Sequence, residues 1–263
     1  MKLSGKRVLI TGASRGIGRS LATAFAGRGA QVALVARDAS AVESLAAELS
    51  GTAHPADLLD NEQLRRLIDR VEHEAGSIDV LVNNAGLAYD GPLWESTASQ
   101  VEDQIRLNLI APLELCRQAI PTMLLRGGGH LVNVASLAAL AAVPGMTAYA
   151  ATKAGLAHGS AALRAELRGL PIALTTVMVG GVPTDMLRTG ESYAPFAEAF
   201  ARLRKIQLVP DTAADDLARA VVRGVERSTR TVFLPRRAAP FVALVEAPRK
   251  LVTLALAGVK PRA

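Results

Sequence analysis

The chain has 263 residues, of which 50% are hydrophobic and 21% charged, enough apolar material for the core of one large α/β domain or two small ones. This balance excludes wholesale disorder, and an aromatic content of 3% argues against an RNA-binding surface that stacks bases. The single cysteine, Cys116, excludes an internal disulfide and a cysteine-based metal site, and we expect no metal. The apolar stretch after Met1 is too short for a signal peptide, which favours a reducing, cytoplasmic compartment.

The net charge of +6 is concentrated at one end of the chain. Residues 235–263 contain six basic residues against Glu246 alone, so they supply five of the six net charges. The remaining body is nearly neutral, which makes a basic groove for nucleic acid an unfavoured interpretation. We therefore expect no nucleic-acid partner, and any anionic partner should meet this C-terminal region.

The predicted elements alternate between short apolar strands and amphipathic helices. Strands are predicted at 8–10, 32–35, 52–55, 80–82, 131–134, 172–179 and 231–234. Helices are predicted over 17–28, 39–50, 61–75, 97–126, 147–168, 189–205 and 212–227. Continuously apolar strands that alternate with helices indicate an α/β fold, in which a parallel sheet is covered by helices on both faces.

One long uncharged run, residues 127–152, is long enough for a membrane span, which needs about 20 apolar residues. Pro144 and Gly145 interrupt the run, and polar side chains such as Asn133 and Tyr149 lie within it. We interpret it as a buried strand, a loop and the start of a helix.

A glycine-rich turn, residues 11–18, joins the first predicted strand to the first predicted helix. Gly12 permits a tight turn, Gly16 lets a pyrophosphate approach the backbone, and Gly18 lets the helix pack closely. The helix N-terminus then offers unpaired N–H groups to phosphates. The spacing differs from G-x-G-x-x-G, and an ordinary glycine turn is the alternative, but its position after the first strand favours a dinucleotide site.

The end of the second strand bears on the choice of coenzyme, because an acidic residue there would hold a free ribose 2′-hydroxyl. Position 36 is alanine, which cannot do this, whereas Arg37 can bind a 2′-phosphate, and Arg15 in the glycine turn can join it. Asp38 leaves an alternative open, since it could compete for Arg37, serve the ribose or cap the next helix. The pattern favours NADP(H) over NAD(H).

Three residues form a candidate acid–base group. Tyr149 and Lys153 are four residues apart on a predicted helix and so share one face. A nearby ammonium favours the phenolate, so we expect Lys153 to lower the pKa of Tyr149 and also to bind a ribose. Ser136 follows a strand at the sheet edge where ligands bind, and its hydroxyl can orient a carbonyl or alcohol. Each residue alone is common in its position, but the combination is not.

Asn108 adds a fourth candidate. Pro112 lies four residues later in the same helical region, and its ring pushes against the carbonyl of Asn108. A helix kinked there would leave the Asn108 carbonyl free to hold a water in a proton path. A simple packing kink is the alternative.

Taken together, these motifs resemble the classical short-chain dehydrogenase/reductase family over about residues 5–235. The matching motifs are Thr11-Gly12-x-x-x-Gly16-x-Gly18, Asp57-Leu58, Asn83-Asn84-Ala85-Gly86, Asn108, Ser136 and Tyr149-x-x-x-Lys153. The resemblance implies a single Rossmann-type doubly wound domain over residues 1–235 for dinucleotide binding and catalysis, followed by a basic and apolar extension, residues 236–263.

The resemblance also implies the role of each residue. Tyr149 would be the catalytic acid/base, Lys153 its partner and ribose ligand, Ser136 the residue that orients the substrate, and Asn108 the residue that holds water. The implied coenzyme-binding residues are Gly12, Ser14, Arg15, Gly16, Ile17, Gly18, Arg37, Asp57, Leu58, Asn84, Ala85, Gly86, Tyr149, Lys153, Gly180, Val182 and Thr184.

One motif departs from the family, because Val179 stands where the family usually has proline after the sixth strand. Gly180, Val182 and Thr184 still match. We expect the missing proline to loosen the turn near the nicotinamide carboxamide without affecting the chemistry itself.

The predicted function is NADP(H)-dependent interconversion of a carbonyl and a secondary alcohol, with a catalytically silent nucleotide-binding protein of the same fold as the alternative. The segment between Thr184 and Val209, the lid segment, is expected to cover the substrate. Its apolar residues are Met186, Leu187, Tyr193, Phe196, Phe200 and Leu203, with Leu137, Val143 and Met146 near the reaction centre. They favour a lipid-, terpenoid- or steroid-like substrate, unless they only pack the lid.

Two further expectations concern partners. The family resemblance implies a homodimer or homotetramer through the helices at 97–126 and 147–168, where small residues allow close packing unless they simply face the sheet. These residues are Ala150, Ala151, Ala154, Ala157 and Ala161. The extension alternates basic pairs with short apolar runs, which suggests weak peripheral membrane contact; the alternative is that it folds over the cleft or a neighbouring subunit.

Overall fold

Within residues 1–207 and 209–235, which the computed structural model describes, seven strands form one parallel sheet in the order β3-β2-β1-β4-β5-β6-β7. The strands are β1 (Arg7–Thr11), β2 (Gln31–Val35), β3 (Thr52–Ala53), β4 (Val80–Asn83), β5 (Gly129–Ser136), β6 (Ile172–Val179) and β7 (Thr231–Leu234). Every pairing is parallel, which confirms the doubly wound α/β fold expected from the sequence. The predicted extension, residues 236–263, lies outside the described residues.

Nine α-helices connect the strands within the same described ranges. They are α1 (Gly16–Ala26), α2 (Ala39–Glu48), α3 (Asn61–Ala75), α4 (Ala98–Ile105), α5 (Ala111–Leu125), α6 (Thr147–Glu166), α7 (Asp185–Gly190), α8 (Ala194–Lys205) and α9 (Ala214–Glu226). No helix in this part of the chain is long and apolar enough to cross a membrane. The uncharged run at 127–152 contains β5 and the start of α6, as the sequence predicted.

Two predicted helices are interrupted. The helix expected over 97–126 is divided by a π-helical turn, Arg106–Ile110, in which the N–H of Ala111 donates to the carbonyl of Arg106. Pro112, in the first turn of α5, has no N–H to continue the regular ladder. The helix expected over 189–205 is divided into α7 and α8, because Pro195 fits the first turn of a helix but not its interior.

The core lies on both faces of the sheet. Along β1, Val8 and Ile10 pack against α1, α2 and α9, whereas Leu9 packs on the opposite side with α3 and α5. This alternation follows from the two-residue period of a strand, and it explains why the central strands are apolar throughout. Because the strands are parallel, the loops after β1, β4, β5 and β6 meet at the carboxyl edge of the sheet.

The order of the sheet changes direction between β1 and β4. In open α/β sheets, ligands bind at such a switch point, outside the carboxyl ends of the strands. The glycine turn follows β1, and the Asn83–Gly86 motif begins at the end of β4. The fold therefore brings both motifs to the expected binding edge.

The small residues on α6 do not all serve the same purpose. Ala157 is buried with Ala135 and Met178 of the sheet, so its predicted part in a subunit contact is wrong and the sheet-facing alternative holds. Ala151, by contrast, is exposed. Within the chain, Gly155 gives α6 close contact with Leu109, since a Cβ there would lie 3.2 Å from a Leu109 methyl carbon.

Candidate active site

The glycine turn is fixed by steric requirements at three positions. Gly12 has φ +65°, and a Cβ on it would lie 2.8 Å from the Cα of Ala85. A Cβ on Gly18 would lie 1.9 Å from the carbonyl oxygen of Gly12. Gly16 has φ +53° and faces the side chain of Thr184. The turn therefore needs these glycines for its own shape, before any ligand is considered.

Thr11, at the end of β1, holds the turn to the neighbouring strand. Its hydroxyl donates to the carbonyl of Val82 at 3.3 Å and accepts from the N–H groups of Asn84 and Ala85 at 3.0 and 3.1 Å. The Asn84 amide in turn donates to the Thr11 carbonyl at 2.9 Å. Asn84 thus braces the turn with its side chain, and Thr11 has a positioning role that sequence analysis missed.

A cleft opens beside this turn, and we call it the coenzyme cleft. The predicted coenzyme residues that line it are Gly12, Ser14, Arg15, Gly16, Ile17, Gly18, Arg37, Asp57, Leu58, Asn84, Ala85, Gly86 and Thr184. The N-terminus of α1 faces this turn and has no side-chain cap on its N–H groups among the described residues. Such a helix end provides donors for an anion.

The second strand ends at the far side of the coenzyme cleft. Arg37 is exposed and forms no ion pair with the described residues, whereas Asp38 caps α2 by accepting from the N–H of Ala41 at 3.0 Å and from the Ser40 hydroxyl. These hydrogen bonds lower the pKa of Asp38. Asp38 therefore acts as a helix cap, one of the three alternatives, and leaves Arg37 available.

Arg15 has a partner that the sequence did not indicate. Its guanidinium lies 3.3 Å from a carboxylate oxygen of Asp185, at the start of α7. The exposed ion pair therefore connects the glycine turn to the lid segment.

The acid–base candidates meet in a second pocket, which adjoins the coenzyme cleft and which we call the apolar pocket. Ser136, Tyr149, Lys153, Gly180 and Val182 line it, so the structure places the remaining predicted coenzyme residues here. The Lys153 ammonium donates to the carbonyl of Val134 at 3.0 Å and lies 5.6 Å from the Tyr149 ring centre.

The expected lowering of the Tyr149 pKa is not found in this structure. Burial raises the pKa of Tyr149 to about 12, and the charge of Asp90 acts in the same direction, while a hydrogen bond with Ser136 opposes both. Burial also lowers the pKa of Lys153 to about 8. Desolvation disfavours the charged form of each group, and it is the largest cause of both shifts.

Asn108 is buried in the π-helical turn, and its side chain is fully engaged. Its amide nitrogen donates to the carbonyl of Leu87 at 2.8 Å and to the Thr152 hydroxyl at 3.2 Å, and its Oδ1 accepts from the N–H of Leu87 at 2.9 Å. A Cβ on Gly86 would lie 3.0 Å from this Oδ1 and 3.5 Å from the Lys153 ammonium. Asn108 therefore positions the loop after β4 beside Lys153, and its role in holding water stays a prediction.

The lid segment covers the apolar pocket with most of the predicted side chains. Residues of the two predicted groups that line the pocket are Leu137, Val143, Met146, Met186, Leu187, Phe196, Phe200 and Leu203. Tyr193 instead packs against the loop before α6, where a Cβ on Gly145 would lie 2.6 Å from its ring. Asp90 also lines the pocket, and sequence analysis missed it.

The turn after β6 is held without the family proline. The N–H of Gly180 donates to the carbonyl of Leu234 at 2.8 Å, and the Gly181 carbonyl accepts from the N–H of Thr212 at 2.8 Å. A Cβ on Gly181 would lie 2.8 Å from the Phe200 ring, so the lid packs directly on this turn. Backbone hydrogen bonds thus supply restraint at the point where the sequence suggested loosening.

Comparisons with known proteins agree with this arrangement. A family model described as short chain dehydrogenase matches residues 6–193. The ketoacyl reductase HetN of Nostoc sp. is 34% identical over 237 residues, which cover 88% of this chain and 79% of HetN. The fatty acyl-CoA reductase Rv0547c of Mycobacterium tuberculosis is 35% identical over 230 residues, covering 80% of this chain and 78% of that protein. A solved short-chain dehydrogenase from Sphingobium yanoikuyae, in complex with NADPH, is 31% identical with a TM-score of 0.81 and 98% coverage of both chains.

Proposed function

This chain belongs to the short-chain dehydrogenase/reductase family and is an NAD(P)-dependent oxidoreductase, and we propose that it interconverts a carbonyl and a secondary alcohol with NADP(H) on an apolar substrate. The observation that carries the proposal is the juxtaposition of two sites. Ser136, Tyr149 and Lys153 line the apolar pocket, and this pocket adjoins the cleft formed by the glycine turn. A carbonyl in the pocket therefore lies beside a bound nicotinamide coenzyme.

The coenzyme supplies the hydride, and the protein supplies orientation and a proton. With a pKa of about 12, Tyr149 is protonated at neutral pH, the form that a carbonyl reduction requires, and it donates its proton to the substrate oxygen. The Ser136 hydroxyl orients that oxygen. Lys153 binds the ribose and, when charged, stabilises the phenolate that proton donation leaves behind.

The coenzyme cleft supports a preference for NADP(H). Arg37 is exposed beside the cleft and pairs with no carboxylate of the described residues, because Asp38 caps α2, and Ala36 has no side-chain acceptor for a ribose 2′-hydroxyl. An arginine fork provides two charge-assisted hydrogen bonds to a phosphate. The relative from Sphingobium yanoikuyae binds NADPH.

The apolar pocket supports a lipid-, terpenoid- or steroid-like substrate. Its wall is composed mainly of aliphatic and aromatic side chains from the lid segment and from the loop after β5. The names of the two curated relatives, a ketoacyl reductase and a fatty acyl-CoA reductase, are consistent with acyl substrates. Burial of such chains is favourable in proportion to the apolar area removed from water.

A coenzyme-oxidation assay tests the proposal. The purified protein is mixed with NADPH or NADH and a panel of carbonyl compounds that includes long-chain ketones, a monoterpenoid ketone, a steroid ketone and short hydrophilic ketones. We expect turnover of apolar ketones with NADPH, and the highest kcat/KM for the larger compounds. Tight NADPH binding without turnover of any compound would instead support the catalytically silent alternative.

Homo-oligomer formation is also proposed. Apolar side chains are exposed on α4, on the π-helical turn and on α5, namely those of Ile105, Ile110 and Leu113. The exposed small residue Ala151 lies on α6, which packs against α4 in the same chain. We expect a dimer or tetramer in sedimentation at micromolar concentration, and a monomer at every concentration would contradict this.

A further inference from the structure

The apolar pocket contains an acidic side chain that the proposed mechanism does not use. Asp90 lies in the loop after β4 and lines the pocket together with Ser136 and Tyr149. Within the described residues, Lys153 is the other charged side chain of the lining. Lys153 donates to a backbone carbonyl, whereas one carboxylate oxygen of Asp90 has no hydrogen-bond donor among the described residues.

This oxygen, Oδ2 of Asp90, is shielded from water and accepts no hydrogen bond from the residues that the structure describes. A buried acceptor without a donor is destabilising, and a carboxylate more so than a neutral group. The cost of burying this carboxylate is seen in the pKa of Asp90, which burial raises to about 6. Since most buried polar groups in proteins have partners, a carboxyl group that accepts no hydrogen bond from the described residues requires an explanation.

The lid segment accommodates the Asp90 carboxyl closely. A Cβ on Gly190, the last residue of α7, would lie 3.1 Å from both Cγ and Oδ2 of Asp90. The same Cβ would lie 3.1 Å from the Phe196 ring, so the absence of a side chain makes room for both groups. On the other side of the loop, the N–H of Gly91 donates to the carbonyl of Gly145 at 3.1 Å, which fixes the backbone next to Asp90.

We propose that Asp90 is a specificity residue: its carboxylate oxygen Oδ1, the one that is not enclosed against the lid segment, accepts a hydrogen bond from a substrate hydroxyl, so that the preferred substrates are apolar carbonyl compounds with one hydroxyl near the reacting carbon. The inference rests on the proposed function and narrows its substrate class. The hydroxyl lies near the reacting carbon because Asp90 lines the same pocket as Ser136 and Tyr149.

A hydroxyl is the donor that fits this pocket. A cationic amine would have to leave water for a mostly apolar lining that also holds Lys153, and the cost of desolvating an ion can exceed what its pairing with Asp90 returns. A site that hydrogen-bonds a substrate hydroxyl also discriminates strongly, because the analogue without the hydroxyl leaves the acceptor unpaired.

The test compares decan-2-one with a series of its hydroxy derivatives, each with one hydroxyl at a different carbon. The kcat/KM values with NADPH are measured for the wild type, Asp90→Asn and Asp90→Leu. Asp216→Asn is the control, because it removes an exposed carboxylate on α9, outside the residues that line the pocket. Asp90→Asn preserves the shape and one acceptor oxygen, so it separates the loss of charge from the loss of packing.

We expect the wild type and the control to prefer at least one hydroxy derivative over decan-2-one by about 10-fold or more. The preference should shrink in Asp90→Asn and disappear in Asp90→Leu. Equal selectivity in the wild type and Asp90→Leu at every hydroxyl position would overturn the proposal.

A binding measurement keeps this proposal distinct from the proposed function. Decan-2-ol and the corresponding diols are titrated calorimetrically into each protein saturated with NADPH, a mixture in which no hydride transfer occurs. A diol preference that is lost in Asp90→Leu, in a protein that reduces no ketone, would sustain the role of Asp90 and overturn the reductase function. Ketone reduction without any preference for a hydroxyl would support the reductase function and overturn the role of Asp90.

Discussion

The coenzyme cleft and the apolar pocket are neighbours built by different means. The cleft takes its shape from the backbone, since three glycines and the Thr11 hydroxyl leave the turn after β1 little alternative. The pocket takes its shape from side chains of the loops after β4 and β5 and of the lid segment. The shape of the coenzyme cleft therefore depends on local backbone geometry, whereas that of the apolar pocket depends on which side chains line it. These side chains can vary while the chemistry stays the same.

The largest expected effect is on the chemistry between the two sites. Tyr149→Phe keeps the ring and removes the proposed proton donor, so kcat should fall by about 10²- to 10⁴-fold. Affinity for NADPH and the free energy of unfolding should stay close to the wild-type values. Steady-state kinetics and NADPH titration by fluorescence check this, and a kcat near that of the wild type would show that another group transfers the proton.

Backbone specification of the coenzyme cleft is tested by Gly18→Ala. The added methyl carbon would lie 1.9 Å from the Gly12 carbonyl oxygen, so the turn must shift, at a cost of about 1–3 kcal/mol. We expect weaker NADPH binding, a lower midpoint of unfolding, or both.

Gly159→Ala is the matched control, because its new methyl carbon would lie 3.6 Å from Leu113, an ordinary contact. Denaturant unfolding and coenzyme titration of both variants provide the comparison. If Gly18→Ala behaved like Gly159→Ala, the steric account of the turn would be wrong.

Coenzyme selectivity should respond to a single side chain at the edge of the cleft. Arg37→Asp replaces the proposed phosphate ligand by a repelling charge, and we expect kcat/KM for NADPH to fall by about 10- to 100-fold with little change for NADH. Arg66→Asp, on the exposed side of α3, is the control for the change in net charge. A wild-type enzyme that prefers NADH would contradict the assignment of Arg37.

The smallest expected effect is on the free energy of unfolding. It concerns Asp90 in the apolar pocket, whereas Gly18→Ala and Arg37→Asp alter the coenzyme cleft. Burial raises the pKa of Asp90 from an ordinary value of 3.8 to about 6 in the folded protein, so the folded state binds more protons between these values. Stability contributed by this group is therefore present below about pH 4 and is lost as the pH rises to about 6.

Asp90→Asn has no carboxyl group to ionise at this position, so it avoids the loss of stability between about pH 4 and pH 6. At pH 7 it should raise the free energy of unfolding by about 1 kcal/mol, a figure reduced for the partial exposure of the side chain. Below pH 4 the variant and the wild type should unfold at the same denaturant concentration. An equal or lower stability of Asp90→Asn at pH 7 would show that the Asp90 carboxylate is already stabilised within the protein.

The sequence predicted the sheet, the glycine turn and the acid–base candidates that meet in the apolar pocket because each depends on short-range patterns. Apolar strands, glycine spacing and the Tyr149–Lys153 interval are all visible within a few residues. The π-helical turn could be predicted only as a kink, since Pro112 indicates a lost hydrogen bond but not how the backbone compensates.

The parts that could not be predicted depend on contacts between distant segments. Asp90 acquires its unusual environment from Gly190 and from the loop before α6, which are far from it in the sequence. The raised pKa of Tyr149 has the same origin, because burial is a property of the assembled pocket. A residue pattern can identify the reacting groups, whereas their protonation depends on everything that excludes water around them.

The hydrogen bond from Lys153 to the Val134 carbonyl has a consequence for proton balance. The acceptor is neutral and does not cancel the ammonium charge, and burial brings the pKa of Lys153 to about 8. An anionic ligand that binds nearby favours the charged form and raises this pKa. Above pH 8, the binding of an anion beside Lys153 therefore takes up a proton from the solvent, the affinity for that anion declines as the pH rises further, and the measured heat of binding depends on the ionisation enthalpy of the buffer.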